Sequence, residues 1–156
     1  MGGRNEETES VTAVDVNNDG RIDIVASNRN RPNKIYLNLG NNEFGPAVLL
    51  GLETDDTQLI KVADVGGNTL LDFVVANRGA ADKIYITSAV SPSSITTGAA
   101  TEVGALSAGG RADDTRDLVL LDINADTYLD VVAANSLTSN KVCCLQHMQA
   151  RTCAMF

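Results

Sequence analysis

Apolar residues along this chain come in short runs separated by turn-forming residues. In the first fifty residues, Val11-Thr-Ala-Val14, Ile22-Asp-Ile-Val-Ala26, Lys34-Ile-Tyr-Leu37 and Ala47-Val-Leu-Leu50 alternate with stretches rich in Asn, Asp, Gly and Pro. Runs of that length and β-branched content, bounded by such residues, read as strands. No segment keeps a 3.6-residue apolar period over ten or more residues, so helices are not expected. Nor does any run of about 18 apolar residues occur, so no transmembrane helix is expected.

The pattern repeats. A nine-residue segment beginning and ending in Asp occurs three times, at Asp15–Asp23 (DVNNDGRID), Asp64–Asp72 (DVGGNTLLD) and Asp122–Asp130 (DINADTYLD). Upstream of each stands an acid-acid-Thr triplet: Glu6-Glu7-Thr8, Asp55-Asp56-Thr57 and Asp113-Asp114-Thr115. Downstream come Asn28, Asn77 and Asn135, then Asn33-Lys-Ile-Tyr36, Asp82-Lys-Ile-Tyr85 and Asn140-Lys-Val-Cys143, all in register. The repeats are therefore 6–54, 55–112 and 113–156, with a Ser/Thr/Gly/Ala-rich insertion at about 87–110 expected to form a long surface loop. Each holds about four strands, which predicts an all-β chain of three consecutive four-stranded β-propeller-type blades. Closed propellers need about four to eight blades, so a fragment, an open three-blade stack and a ring completed by head-to-tail association all stay open. Tyr36, Tyr85, Phe73 and Phe44 are expected in the blade core.

Composition narrows the chemistry. The 156 residues are within the usual size of one domain, and with 44% hydrophobic, 4% aromatic and no Trp the core is built from Val, Ile and Leu. A net charge of -8 repels a duplex phosphate backbone, so nucleic acid is not an expected partner. Cys143, Cys144 and Cys153 are odd in number and lack metal-ligand spacing, which argues against a disulfide framework or a zinc site. Cys143-Cys144 instead stands where Tyr36-Leu37 stands in the first repeat and reads as packing.

The acidic nonapeptide suggests a metal. In Asp15–Asp23, oxygen-bearing side chains stand at positions 1, 3, 5 and 9, and Gly20 at position 6 permits a sharp positive-φ turn. Carboxylates converging to within about 4 Å repel by several kcal/mol per pair at an effective dielectric of about 20, and a hard divalent cation removes that cost. Calcium accepts six to eight oxygens in flexible geometry, which suits Asp15, Asn17, Asp19, Asp23 and the Arg21 carbonyl. An EF-hand would need Glu at position 12, where this chain has Ala26. The third loop keeps Asp122, Asn124, Asp126, Asp130 and the Tyr128 carbonyl, but Thr127 replaces the glycine. The second is the weakest candidate, with Asp64, Asn68 and Asp72 but Gly66 at position 3. The competing reading is a plain turn whose side chains cap their own backbone, although a turn alone does not call for the ninth Asp.

These loops, their flanks (Val11–Ala26), Asn33-Lys-Ile-Tyr-Leu-Asn-Leu-Gly40 and Asn42-Glu-Phe-Gly45 resemble the FG-GAP/VCBS repeat family over residues 6 to about 145. The resemblance implies blades of the integrin α-subunit type of β-propeller, with calcium in a hairpin loop between the first two strands. It implies the ligand sets just named and an extracellular or cell-surface setting, although Met1–Ser10 is polar and acidic with no signal-peptide core. Phe44-Gly45 looks like the name-giving pair; the second and third copies lack it, and the segment after Leu145 matches no other repeat.

The function expected is therefore a calcium-binding, non-catalytic module for protein or glycan recognition and adhesion. Its candidate contact loops are Arg29-Asn-Arg-Pro32, Arg78-Gly-Ala-Ala81 and Ser136-Leu-Thr-Ser139. Open blade edges offer self-association or contact with the rest of a longer chain. A calcium-stiffened structural spacer is the alternative, and an accessory part of a hydrolase or lyase the third reading. Catalysis draws little support, since the single His147 lies in the unmatched tail and no nucleophile-elbow motif occurs.

Overall fold

The computed structural model describes residues 7–102, 114–146 and 149–155, and every regular element in them is a strand. Glu6, Asp113, His147 and the end of the insertion, 103–110, lie outside the described residues. The first blade contains β1 (Thr8–Val14), β2 (Asp23–Asn28), β3 (Asn33–Tyr36), β4 (Asn38–Gly40), β5 (Glu43–Phe44) and β6 (Val48–Leu50). The second contains β7 (Asp56–Ala63), β8 (Asp72–Arg78), β9 (Lys83–Tyr85), β10 (Thr87–Ser91), β11 (Ser94–Thr97) and β12 (Thr101–Glu102). The third contains β13 (Thr115–Leu121), β14 (Asp130–Asn135), β15 (Lys141–Gln146) and β16 (Gln149–Met155). Each blade is one four-stranded antiparallel sheet, in the orders β1-β2-β3-β6, β7-β8-β9-β12 and β13-β14-β15-β16, and β4-β5 and β10-β11 form separate hairpins. Among the described residues the sheets do not close into a barrel; they form an open, propeller-like stack.

Register repeats from blade to blade. Val11 faces Ala26 across the ladder, Ile60 faces Val75, and Leu118 faces Ala133. Each first strand also carries a register shift just after its triplet threonine, between Thr8 and Ser10, Thr57 and Leu59, and Thr115 and Asp117, a bulge that lets the residue between them leave the regular alternation.

The core lies between blades. One cluster joins Val16, Val25, Ile35, Leu37 and Leu50 of the first blade to Ile60, Phe73, Val75 and Tyr85 of the second. Another joins Val65, Val74, Ala76 and Ile84 of the second to Leu118, Val131, Ala133 and Cys143 of the third. Strand residues alternate between faces, so each blade turns one apolar face to its predecessor and the other to its successor. Burial follows the neighbour, not the residue type. Ile60 and Leu118 are buried, whereas Val11, their counterpart in the first blade, is 59% exposed. Val16 and Val65 are buried, whereas Ile123, their counterpart in the third, is 46% exposed.

The polar landmarks tie the blade corners. Thr8, Thr57 and Thr115 each donate an Oγ1 hydrogen bond to the Oδ1 of Asn28, Asn77 or Asn135 (2.9, 2.9 and 2.8 Å). Those asparagines donate Nδ2 to Pro32, Ala81 and Ser139 carbonyls, closing the following loop. Arg29 pairs with Glu9 of its own blade and lies 3.6 Å from Asp56 of the next, while Arg78 pairs with Asp56. Arg29, expected in a ligand-contact loop, thus lies between the acids of two blades.

Four expectations need correction. Thr87–Thr97 is a hairpin rather than a loop, and Ile95 with Val90 packs into the first core cluster. Phe44, expected in the core, is exposed because it sits on the short β4-β5 hairpin outside the four-stranded sheet. The segment after Leu145, unmatched in sequence, supplies the fourth strand of its blade, with Cys143 paired to Cys153 in the ladder. Cys143 is buried in the core as expected, yet it is disulfide-bonded, while Cys144 is free.

Phe73→Ala removes a fully buried ring and is expected to cost about 3–5 kcal/mol, whereas Val11→Ala is expected to cost less than about 1 kcal/mol. Urea denaturation of the two variants checks this; comparable losses would mean that the first blade's outer face is covered in solution.

Candidate metal centre

All three nonapeptides share one backbone frame. Positions 4 and 6 have positive φ every time: Asn18 and Gly20, Gly67 and Thr69, Ala125 and Thr127. The glycine expected at position 6 adopts this conformation, and the threonines there adopt it despite their β-branch. Position 4 was not anticipated; Asn18 and Gly67 carried a signal for it, Ala125 none.

The first Asp wraps the turn. Asp15 accepts from the N–H groups of Asp19 (3.1 Å) and Gly20 (2.7 Å), Asp64 from those of Gly67, Asn68 and Thr69, and Asp122 from those of Asp126 and Thr127. The fifth residue braces the exit: Asp19, Asn68 and Asp126 accept from the N–H of Arg21, Leu70 and Tyr128 at 3.0, 2.9 and 2.9 Å. The second loop, poorest in carboxylates, folds like the other two, so the frame does not depend on ligand chemistry.

The ninth Asp has a structural task that sequence reasoning missed. Asp23, Asp72 and Asp130 are fully buried. Through Oδ2 each accepts the N–H of loop position 2 (Val16, Val65, Ile123 at 2.9, 3.0 and 3.0 Å), and through Oδ1 an N–H just beyond the third strand or near its end (Asn38, Thr87, Leu145 at 2.7, 2.8 and 2.9 Å). One carboxylate therefore pins three strands, so a turn in this setting does require the ninth Asp. Burial raises the Asp72 carboxyl, against the lowering effect of its backbone donors Thr87, Gly66 and Val65.

The first loop differs from the other two in a way that bears on metal. Asn17 is buried, and its Oδ1 accepts no hydrogen bond, while its Nδ2 donates to Asp19 Oδ2 (3.0 Å) and to the Ser91 carbonyl (3.1 Å). A buried acceptor left without a donor is costly. Asp15 and Asn17 line a cleft of about 230 Å³ whose far wall comes from the second loop and Val90. Asp19 Oδ2 also accepts from Arg21 Nη2 at 2.6 Å, and Arg21 Nε donates to the Asn38 carbonyl. In the third loop the Asn124 Oδ1 is already satisfied by the Asp126 N–H (2.9 Å). Among the described residues no three His, Cys, Asp or Glu side chains stand clustered as a metal-binding group. The all-oxygen donor set of the first loop, with its orphaned amide oxygen, fits a hard cation; the second loop, with Gly66, does not.

Asp72→Ala leaves buried N–H groups without acceptors and is expected to cost about 2–5 kcal/mol, against about 1 kcal/mol for Asp64→Ala at the exposed turn. Chemical denaturation in EDTA separates the two; an unaffected Asp72→Ala would mean that this carboxylate does not pin the strands.

Residues 15–75 match a family model described as FG-GAP-like repeat. That span starts at Asp15 and covers the first and second loops, leaving the third outside. No curated protein matches the chain. From the first loop into β8, over residues 15–75, the protein is thus similar to an FG-GAP-like repeat, in keeping with its open, propeller-like sheets.

Proposed function

We propose that this protein is a calcium-binding, non-catalytic propeller-type module that recognises a protein or carbohydrate ligand at an extracellular surface. The observation that carries the metal reading is Asn17, whose buried Oδ1 has no partner within a loop that also presents Asp15, Asp19, Asp23 and the Arg21 carbonyl. Asp122, Asn124, Asp126, Asp130 and the Tyr128 carbonyl form the second calcium loop. Bound calcium would offset the charge of the loop carboxylates and lock the turn, and it would compete with the Arg21 guanidinium for Asp19. The Cys143 disulfide supports an oxidising compartment.

Ligand recognition falls to the loops that follow each second strand, where Arg31 and Leu137 are exposed. The acidic charge disfavours nucleic acid, and no helix among the described residues is long and apolar enough to cross a membrane. The outer faces of the first and third blades, bearing Val11 and Ile123, suit another blade of the same kind, from a second copy or from the rest of a longer chain.

A calcium titration of thermal unfolding tests the metal. Wild type is expected to gain roughly 2–4 kcal/mol over EDTA at 100 to 1,000 times the dissociation constant, the Asp19→Ala/Asp126→Ala variant to lose most of that gain, and Asp64→Ala to keep it. A folded wild type with no calcium-dependent shift would reduce the loops to turns. Glycan-array and surface-protein binding that Arg31→Ala and Leu137→Ala leave unchanged would remove these loops from the ligand site.

A further inference from the structure

Thr57 and Thr115 hold equivalent positions at the two blade junctions, and their partners differ by one atom type. At the first junction Asn33 Nδ2 donates to Thr57 Oγ1 (3.0 Å), which donates to Asn77 Oδ1 (2.9 Å). The second has Asp82 where the first has Asn33. Thr115 Oγ1 lies 2.9 Å from Asp82 Oδ2 and 2.8 Å from Asn135 Oδ1. The other Asp82 oxygen accepts the Asn77 N–H at 2.8 Å, as Asn33 Oδ1 accepts that of Asn28.

Proton bookkeeping decides what this arrangement requires. A threonine hydroxyl has one proton to give. Asn135 donates Nδ2 to the Ser139 carbonyl (2.9 Å), which fixes its amide so that an acceptor oxygen faces Thr115. With the hydroxyl proton directed there, as in the other two blades, the Thr115–Asp82 contact needs a proton from Asp82. With Asp82 ionised, the Thr115 hydroxyl proton serves Asp82 or Asn135 but not both, so one pair of oxygens meets without a proton, with Asp82 1% exposed and Thr115 fully buried.

We propose that Asp82 acts in its protonated form as the donor that fastens the second blade to the third, and that its ionisation loosens this junction as the solution goes from acidic to neutral.

The surrounding charges oppose protonation, and burial decides against them. Lys141, on β15 of the third blade and itself buried, is the cation whose field favours ionised Asp82. Nearby, Lys83 pairs with Asp55, Arg78 with Asp56, and Asp114 on the β13 side with Arg116 at 2.8 Å. Burial outweighs the Asn77 N–H, the Thr115 contact and Lys141, and pushes the Asp82 carboxyl up from 3.8 to about 6. Since the folded value is above the unfolded one, the stabilisation is complete below pH 3.8, is lost as pH rises to about 6, and is constant beyond.

Urea unfolding of wild type and Asp82→Asn from pH 4 to pH 8 in EDTA tests the proposal. Asparagine restores the donor at every pH, so the ratio of wild-type to variant unfolding constants is expected to rise roughly 100-fold between pH 4 and pH 7. Asn33→Asp is expected to install a similar pH-dependent loss at the first junction, and it decides the matter if Asp82→Asn does not fold. Parallel pH curves, or an Asp82 carboxyl that titrates below pH 4 by carbon-13 NMR, would overturn the proposal and make Asp82 an ordinary anion paired with the field of Lys141.

Discussion

A sheet with two apolar faces needs cover on both sides, and the architecture of this protein follows from that need. The middle blade has neighbours on either side, so Ile60, Phe73, Val65 and Val74 are buried. The flanking blades repeat the same positions with only one neighbour, and Val11 and Ile123 are left open to solvent. Stability here resides in junctions between blades, each formed by the rear face of one sheet and the front face of the next, as expected for quasi-one-dimensional repeat proteins.

Within a blade, polar groups do what apolar packing cannot. Buried backbone donors must be satisfied, and where the chain leaves the first strand they are met by the ninth Asp of each loop. The same carboxylate reaches across to the third strand, so turn geometry and sheet registry are set by one side chain. This leaves the third and fifth positions to vary in charge without unfolding the loop, and the second loop has used that freedom by accepting Gly66 and Asn68.

The repeat was legible in the sequence because its landmarks bond to one another at fixed spacings: Thr8 to Asn28, Asn28 to Asn33, Asp15 to Gly20. Each contact needs one residue type at one offset, so three copies leave a visible trace. The β4-β5 and β10-β11 hairpins left none, since their strands are two to five residues long and lie outside the repeated register. The pairing of β16 was hidden for another reason: its segment has no counterpart in the other two repeats, so no landmark marks it. The structural duty of Asp23, Asp72 and Asp130 was masked because a carboxylate that pins backbone amides and one that binds a cation look identical in a sequence.

The uniform order of faces at the junctions has a consequence for how such a chain can change. Because every interface joins the same rear face to the same front face, excising the middle blade would bring the rear of the first against the front of the third, two surfaces already built to meet a partner of that kind. Duplication would likewise create no new class of contact. The blade is therefore the smallest heritable unit of this architecture, and gene segments can gain or lose whole blades while inheriting their interfaces ready-made.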